Sequence, residues 1–322
     1  MPHDALALLN QPSLDAAPHA DGAPAFSFVD ATTPHVSVLD LGVSRGDGIF
    51  ETISVGHGNP QALEHHLSRF VRSAATLDLP SPDLHVWRSA ILAAIVALEP
   101  GEEAWVKAVM TRGVEGDGRP TGWVYASQSP DYSAVRIEGV DVVTLDRGYR
   151  HDVEQTSPWL LQGAKTLSYA VNRSVFREAA RRGANDVIFV SSDGFVLEGP
   201  TSTVVYRRGS ALFSPGTGLG ILDGTTQANV FRYADGLGLS TGFELITVDE
   251  LAAAEDIWLV SSVRLAAPVR SLDGEPRVID AAFTAELNAW LKTLEESAGR
   301  ARSRVRRRSS SVRPSASRCA TW

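Results

Sequence analysis

Short runs of alternating or continuous apolar residues are interspersed, in irregular order, with stretches whose apolar residues recur every three or four positions. That order excludes a strict βαβ winding and leaves an α+β arrangement. GIFETISV reads as a strand closed by the turn Gly56-His57-Gly58-Asn59-Pro60, and SVLDLG before it reads as another. In QALEHHLSRFVRSAATLDL, residues Leu63, Leu67, Phe70, Val71 and Ala74 share one helical face, and a second helix is expected at about 83–98. EAWVKAVMT, TGWVYAS and GVDVVTLD read as strands completing a first sheet. The second half carries a helix of about 168–182 and a hairpin, DVIFV and FVLEG around Ser192-Asp193-Gly194. Strands STVVY, ALFSP and IWLVSS follow, with helices starting near Thr225 and Val248 and a last amphipathic helix in AAFTAELNAWLKTLEES.

With 322 residues, the chain has room for two domains of roughly 150 residues each. The expected division is a loosely ordered lead-in over 1–25, a small N-terminal domain over 26–150, a connector over 151–163, a larger domain over 164–296 and a disordered basic tail over 297–322. Hydrophobic residues at 43% and charged residues at 21% are ordinary globular proportions. No apolar run approaches the roughly 20 residues of a membrane helix, and the N-terminus lacks the basic-then-apolar order of a signal peptide. A cytoplasmic protein without a membrane partner is therefore expected.

Cys319 is the only cysteine, so the folded body holds neither a disulfide nor a thiolate metal cluster. Residues 297–322 contain eight arginines and no acid, leaving 22 basic against 38 acidic residues upstream. A solvated appendage is the expected reading of that tail, because an acidic body repels a polyanion; nucleic acid is not an expected partner. GTGLGILDG lacks the spacing of a dinucleotide loop, and neither a Walker loop nor a G-x-S-x-G elbow is present. His65 and His66 are adjacent rather than three or four apart, which argues against a shared metal.

Lysine is scarce: Lys107, Lys165 and Lys292 stand against 27 arginines. A lysine that condenses with a carbonyl must be buried enough to lose its charge near neutral pH and must be rigidly placed. Lys292 lies on the polar side of the last helix, and Lys107 sits in a strand where it can face solvent. Lys165 follows the small pair Gly163-Ala164 and precedes Ser168, a plausible helix N-cap. Glu198, 33 residues on, ends a hairpin strand before Gly199-Pro200. The residues alone leave it open whether this carboxylate turns inward or faces solvent. Leu222-Asp223-Gly224-Thr225-Thr226 leads a glycine turn into a helix, whose free N–H groups make a natural phosphate seat. Arg69 either supplies a guanidinium to such a phosphate or is an exposed helical arginine.

The succession RGDGIFETI, LEHHLSRF, GAKTLSYAVNRSVFREAARRGANDVIFVSSDGFVLEGPTSTVV, GILDGTTQ and VDELAAAEDIWLVSS resembles the class IV aminotransferase family, over about residues 26–295. The resemblance implies a two-domain α+β fold of type IV, like that of D-amino-acid aminotransferases, with pyridoxal 5'-phosphate between the domains and a homodimeric assembly. By motif position, Lys165 would carry the cofactor, Glu198 would pair with its ring nitrogen and Tyr169 would reach its hydroxyl. Arg69, Thr225, Thr226 and Ser261 would hold the phosphate, and Arg112 would bind a substrate carboxylate. Gln227 and Ser168 depart from the family's commonest arginine and asparagine. Within the family the chain looks closest to 4-amino-4-deoxychorismate lyases, which release pyruvate and 4-aminobenzoate from a small-molecule amine. The alternative is transamination of D-amino or branched-chain amino acids with a 2-oxo acid acceptor.

Overall fold

The computed structural model describes residues 4–15, 22–99 and 101–294; the expected disordered tail over 297–322 lies outside them. The N-terminal half builds a six-stranded sheet from β1 (Asp4–Leu9), β2 (Phe26–Val29), β3 (Gly48–Gly56), β4 (Asn59–Pro60), β5 (Glu103–Thr111) and β6 (Thr121–Gln128), in the order β2-β1-β6-β5-β3-β4. Every pairing in it is antiparallel. Helices α1 (Leu41–Arg45), α2 (Leu63–Thr76) and α3 (Leu84–Ala97) accompany it. Leu63, Leu67 and Phe70 of α2 join Trp87 and Ile91 of α3 over Ile49, Ile53, Val106 and Met110 of the sheet. Phe70 and Trp87 meet edge to face at 4.9 Å between ring centroids. Each fully buried large side chain of this kind contributes roughly 1.5–3 kcal/mol.

After α4 (Ser133–Glu138), the chain builds a mixed eight-stranded sheet. Its strands are β7 (Val140–Asp146), β8 (Asp186–Val190), β9 (Thr203–Arg208), β10 (Ala211–Pro215), β11 (Ser240–Glu244), β12 (Asp256–Ser261), β13 (Leu265–Leu272) and β14 (Glu275–Pro276). The order is β11-β10-β9-β12-β13-β7-β8, with β14 against β13. Helices α5 (Val153–Thr156), α6 (Ala170–Arg181), α7 (Thr225–Gly236), α8 (Val248–Ala252) and α9 (Ala281–Lys292) belong to this half. Among the described residues, no helix is long and apolar enough to cross a membrane.

Several expectations need correction. The lead-in contains a strand: β1 pairs with both β2 and β6, and Ala5, Ala7 and Leu9 alternate into the core. Two of those three are alanines, so the period-two signal was weak. SVLDLG is a turn into α1, because the Asp40 carboxylate caps the helix by accepting from Gly42 N at 2.8 Å. β7 belongs to the second sheet, parallel to both β13 and β8, so the first sheet ends at Gln128 rather than near residue 150. The connector over 151–163 holds α5 and a 3-10 turn at Pro158–Leu160. Ser168 does not cap α6, which starts at Ala170; its hydroxyl donates to Gly46 O at 3.2 Å.

Candidate active site

Alternation along β3 sends Ile49, Glu51, Ile53 and Val55 beneath α2 and leaves Phe50 on the opposite face, toward the second domain. Residues 165–167 add to the edge of this strand. Phe50 N donates to Lys165 O at 3.0 Å, Thr166 bridges Ile49, and Leu167 N donates to Gly48 O at 2.8 Å. Gly48 permits the approach: a Cβ there would stand 2.7 Å from Met110 O and 2.8 Å from Leu167 Cδ1. Opposed residues of an antiparallel pair share a face, so Lys165 emerges beside Phe50. Its Nζ lies 4.6 Å from the Phe50 ring centroid. Lys107, opposite Thr52 on β5, comes from the same face with Nζ 4.8 Å from that centroid. The Tyr169 ring meets Phe50 edge to face at 5.4 Å.

Burial pushes the Lys165 amine down to about 8; the Arg69 charge adds to the shift, while Glu51 and Glu198 oppose it. Burial likewise pushes the Glu198 carboxyl up to about 7, against the pull of the Leu222 N–H at 3.1 Å and of Lys165, Arg147 and Arg69. Each charge thus opposes the effect of burial on the other. Tyr169 is raised to about 12 by burial and then by the Glu198 charge. Its hydroxyl donates to Pro200 O at 3.0 Å, in the turn that follows Glu198. Burial alone lowers Lys107.

Leu222, which donates to Glu198, leads through Gly224 into α7. No side chain caps that helix, so its first N–H groups remain available. Thr225 and Thr226 are buried at this start. The Thr225 hydroxyl lies 3.3 Å from His66 Nε2 and 3.4 Å from the Ser262 hydroxyl, which is itself 3.4 Å from His66 Nε2. Arg69 reaches this region through Nη1, which donates to Asp223 O at 2.6 Å. Its Nε and Nη2 donate to Glu51 at 2.7 and 2.6 Å.

Lys165, Glu198, Tyr169, Arg69 and the Thr225-Thr226 helix start therefore converge on one region. Ser261 is the last residue of β12, paired with Leu265, and it is the next residue, Ser262, whose hydroxyl stands at Thr225. Ser262 begins the turn that leaves β12, so both serines border the α7 start. The Arg112 guanidinium is engaged beside the Gly48 edge: Nε and Nη2 hold Asp47 at 2.6 and 3.2 Å, and Nη1 and Nη2 donate to Asp78 O and Leu77 O at 3.0 and 2.6 Å. Lys292 pairs with Glu103 at 2.6 Å. Lys107, expected to face solvent, instead joins the Lys165 face, and Glu51 and His66 form a buried layer beneath it. For Lys107, the signal lay in EAWVKAVMT, whose Ala104, Val106 and Ala108 take the core side and leave Lys107 on the other.

The chain matches the model of the amino-transferase class IV family over residues 48–272. It is 44% identical over 266 residues to the bifunctional aminodeoxychorismate lyase / D-amino acid transaminase of Mycobacterium tuberculosis, covering 79% of this chain and 92% of that protein. The fold IV transaminase CpuTA1 of Curtobacterium pusillum superposes with a TM-score of 0.87 at 52% identity, covering 90% of this chain and 98% of that one. A hypothetical aminotransferase of M. tuberculosis in its PLP-bound form gives a TM-score of 0.81 at 40% identity, covering 90% and 99%. The match across both sheets makes this chain a class IV aminotransferase family member, with the type IV fold and the pyridoxal-phosphate dependence of that family.

Proposed function

We propose that the protein is a pyridoxal-phosphate-dependent 4-amino-4-deoxychorismate lyase that also transaminates D-amino acids. The carrying observation is the half-buried Lys165 amine, set 4.6 Å from the Phe50 ring centroid and lowered to about 8, within reach of the charge of the Glu198 carboxyl, which burial raises to about 7. These groups fit the cofactor: an amine that readily loses its proton, a carboxyl that a protonated ring nitrogen draws into its ionised form, and an uncapped helix start for the phosphate. Lys165 would hold it, with Glu198 at the ring nitrogen, Tyr169 at the hydroxyl, and Arg69, Thr225 and Thr226 around the phosphate. When bound, the cofactor supplies a sink for negative charge that develops at the substrate carbon bearing the amine. Lys165 Nζ would take the proton from that carbon as the neighbouring ring C–O bond breaks and the ring becomes aromatic, and would return a proton to the departing enolpyruvyl carbon, giving pyruvate and 4-aminobenzoate. Lys107 is the cation on the Phe50 face suited to a substrate carboxylate, a role that Arg112, held by Asp47, leaves open. The transaminase half of this reading is supported by the M. tuberculosis relative, whose name carries both activities. We further propose a homodimer, which the exposed Val38, Leu39 and Val43 just before β3 support; light scattering tests it.

The deciding experiment supplies purified enzyme with aminodeoxychorismate and no oxo acid, following pyruvate and 4-aminobenzoate. Many turnovers are expected; a single stoichiometric conversion of cofactor to its amine form would leave transamination alone. D-Alanine with and without 2-oxoglutarate tests the second activity. Lys107→Met should raise KM for the dicarboxylic substrate by about tenfold and change kcat less, as expected for a lost charge-assisted contact. An unchanged KM removes Lys107 from substrate binding. Capture of added cofactor by the apoenzyme should accelerate as pH rises through about 8, because only the unprotonated Lys165 amine attacks. Stopped-flow absorbance reads this directly, and a flat profile contradicts the Lys165 assignment.

A further inference from the structure

Beneath the proposed phosphate seat lies a buried layer that the reaction itself does not use. Glu51 and His66 are each 1% exposed, and Arg69 is 5% exposed. Glu51 Oε2 meets His66 Nδ1 at 2.7 Å and Arg69 Nη2 at 2.6 Å, and Oε1 meets Arg69 Nε at 2.7 Å. Arg69 holds this carboxyl well below the usual range, to about 2, so Glu51 only accepts and Nδ1 must carry a proton. The 3.4 Å approach of Arg69 Nη2 to that nitrogen sets donor against donor and does not compete. The tautomer is thereby set, and Nε2 is the ring atom turned to the Thr225 and Ser262 hydroxyls.

That geometry poses a conflict. A neutral ring presents a bare Nε2, which draws a hydroxyl proton toward itself and turns oxygen lone pairs toward the helix start. An anion at the helix start needs the opposite orientation, with both hydroxyl protons facing it. The conflict disappears if Nε2 gains a proton. The ring then donates to the hydroxyl oxygens from behind, and their protons point at the anion.

We infer that His66 is a proton-linked positioning residue of the phosphate seat: binding of the cofactor phosphate draws one proton from solvent onto Nε2, completing a chain from Glu51 through His66 to the Thr225 and Ser262 hydroxyls. This rests on the reading of the α7 start as the phosphate site. The charged groups facing the ring are Glu51 from β3, Arg69 from its own helix and Lys165 from the segment paired with β3. Burial, with Arg69 and Lys165, pushes the ring below its usual value against the pull of Glu51, so it is neutral until negative charge arrives. A phosphate dianion on the far side of the hydroxyls supplies that charge.

Nitrogen-15 NMR of enzyme labelled in its histidine rings reads the proton state directly. The His66 signals are assigned by their loss in His66→Gln and, if that variant does not fold, by their displacement in Ser262→Ala. Near neutral pH, the holoenzyme should show both His66 nitrogens protonated, and removal of the cofactor should return Nε2 to the bare form. His66→Gln should retain the cofactor about tenfold less tightly, the scale on which outer-layer partners act. A bare Nε2 in an enzyme whose absorbance and phosphorus signal prove the cofactor bound overturns the inference and leaves the cofactor reading intact. A phosphorus signal that is indifferent to Thr225→Val and Ser262→Ala overturns the site reading, and the inference with it.

Discussion

Lys165→Ala should abolish both activities, lowering kcat by at least about 10⁴-fold, because one group holds the cofactor and moves the proton. The fold should survive, since the backbone contacts of residue 165, Phe50 N to its carbonyl and its N–H to the Ser73 hydroxyl, do not involve its side chain. The variant should also lose the visible absorbance of covalently held cofactor while its circular dichroism stays unchanged. Lys107, whose amine lies on the same ring, is the internal control: Lys107→Met should keep the absorbance. Wild-type turnover in Lys165→Ala would transfer the role to another group and end the proposed chemistry.

The second large effect is on stability. Glu51→Ala should cost about 3–5 kcal/mol, because it strands the Arg69 guanidinium and the His66 ring in a site with almost no access to water. Replacing a buried ion pair with matched apolar groups can be harmless, but removing one partner leaves an uncompensated charge. The pH dependence follows from the same pair. Against the upward push of burial, Arg69 and then His66 lower the Glu51 carboxyl from 4.5 to about 2, so its stabilisation is complete above the unfolded value and fades as pH falls through that window. Urea denaturation at several pH values measures both, and the wild type and variant should converge in acid. A gap that persists at low pH would show that the loss is one of packing.

Much of the fold was legible because it depends on local periodicity. The helical face of Leu63, Leu67 and Phe70, the strand GIFETISV and the paired arms around Ser192-Asp193-Gly194 each follow from a repeat of 3.6 or 2 residues and a turn. The errors fell where local signals compete or are weak. In SVLDLG the Asp40 cap outweighed β-branched content, in β1 the inward residues are small, and GVDVVTLD could not reveal which sheet it would join. The pairing of His66 with Glu51 leaves no local signal, because the acid lies 15 residues away and on another element.

Residue types and their order determined by themselves that this chain folds as α+β, and that three lysines and one helix start were available for a phosphate cofactor. Only the tertiary structure decided which lysine amine is set against the Phe50 ring and lowered by burial, that Lys107 joins it, that the Ser262 hydroxyl stands at Thr225, and that Arg112 is held by Asp47. The reason is physical. Periodicity is set by neighbours a few residues apart, whereas the charge state of a side chain depends on the solvent excluded and the charges gathered by segments far apart in the chain.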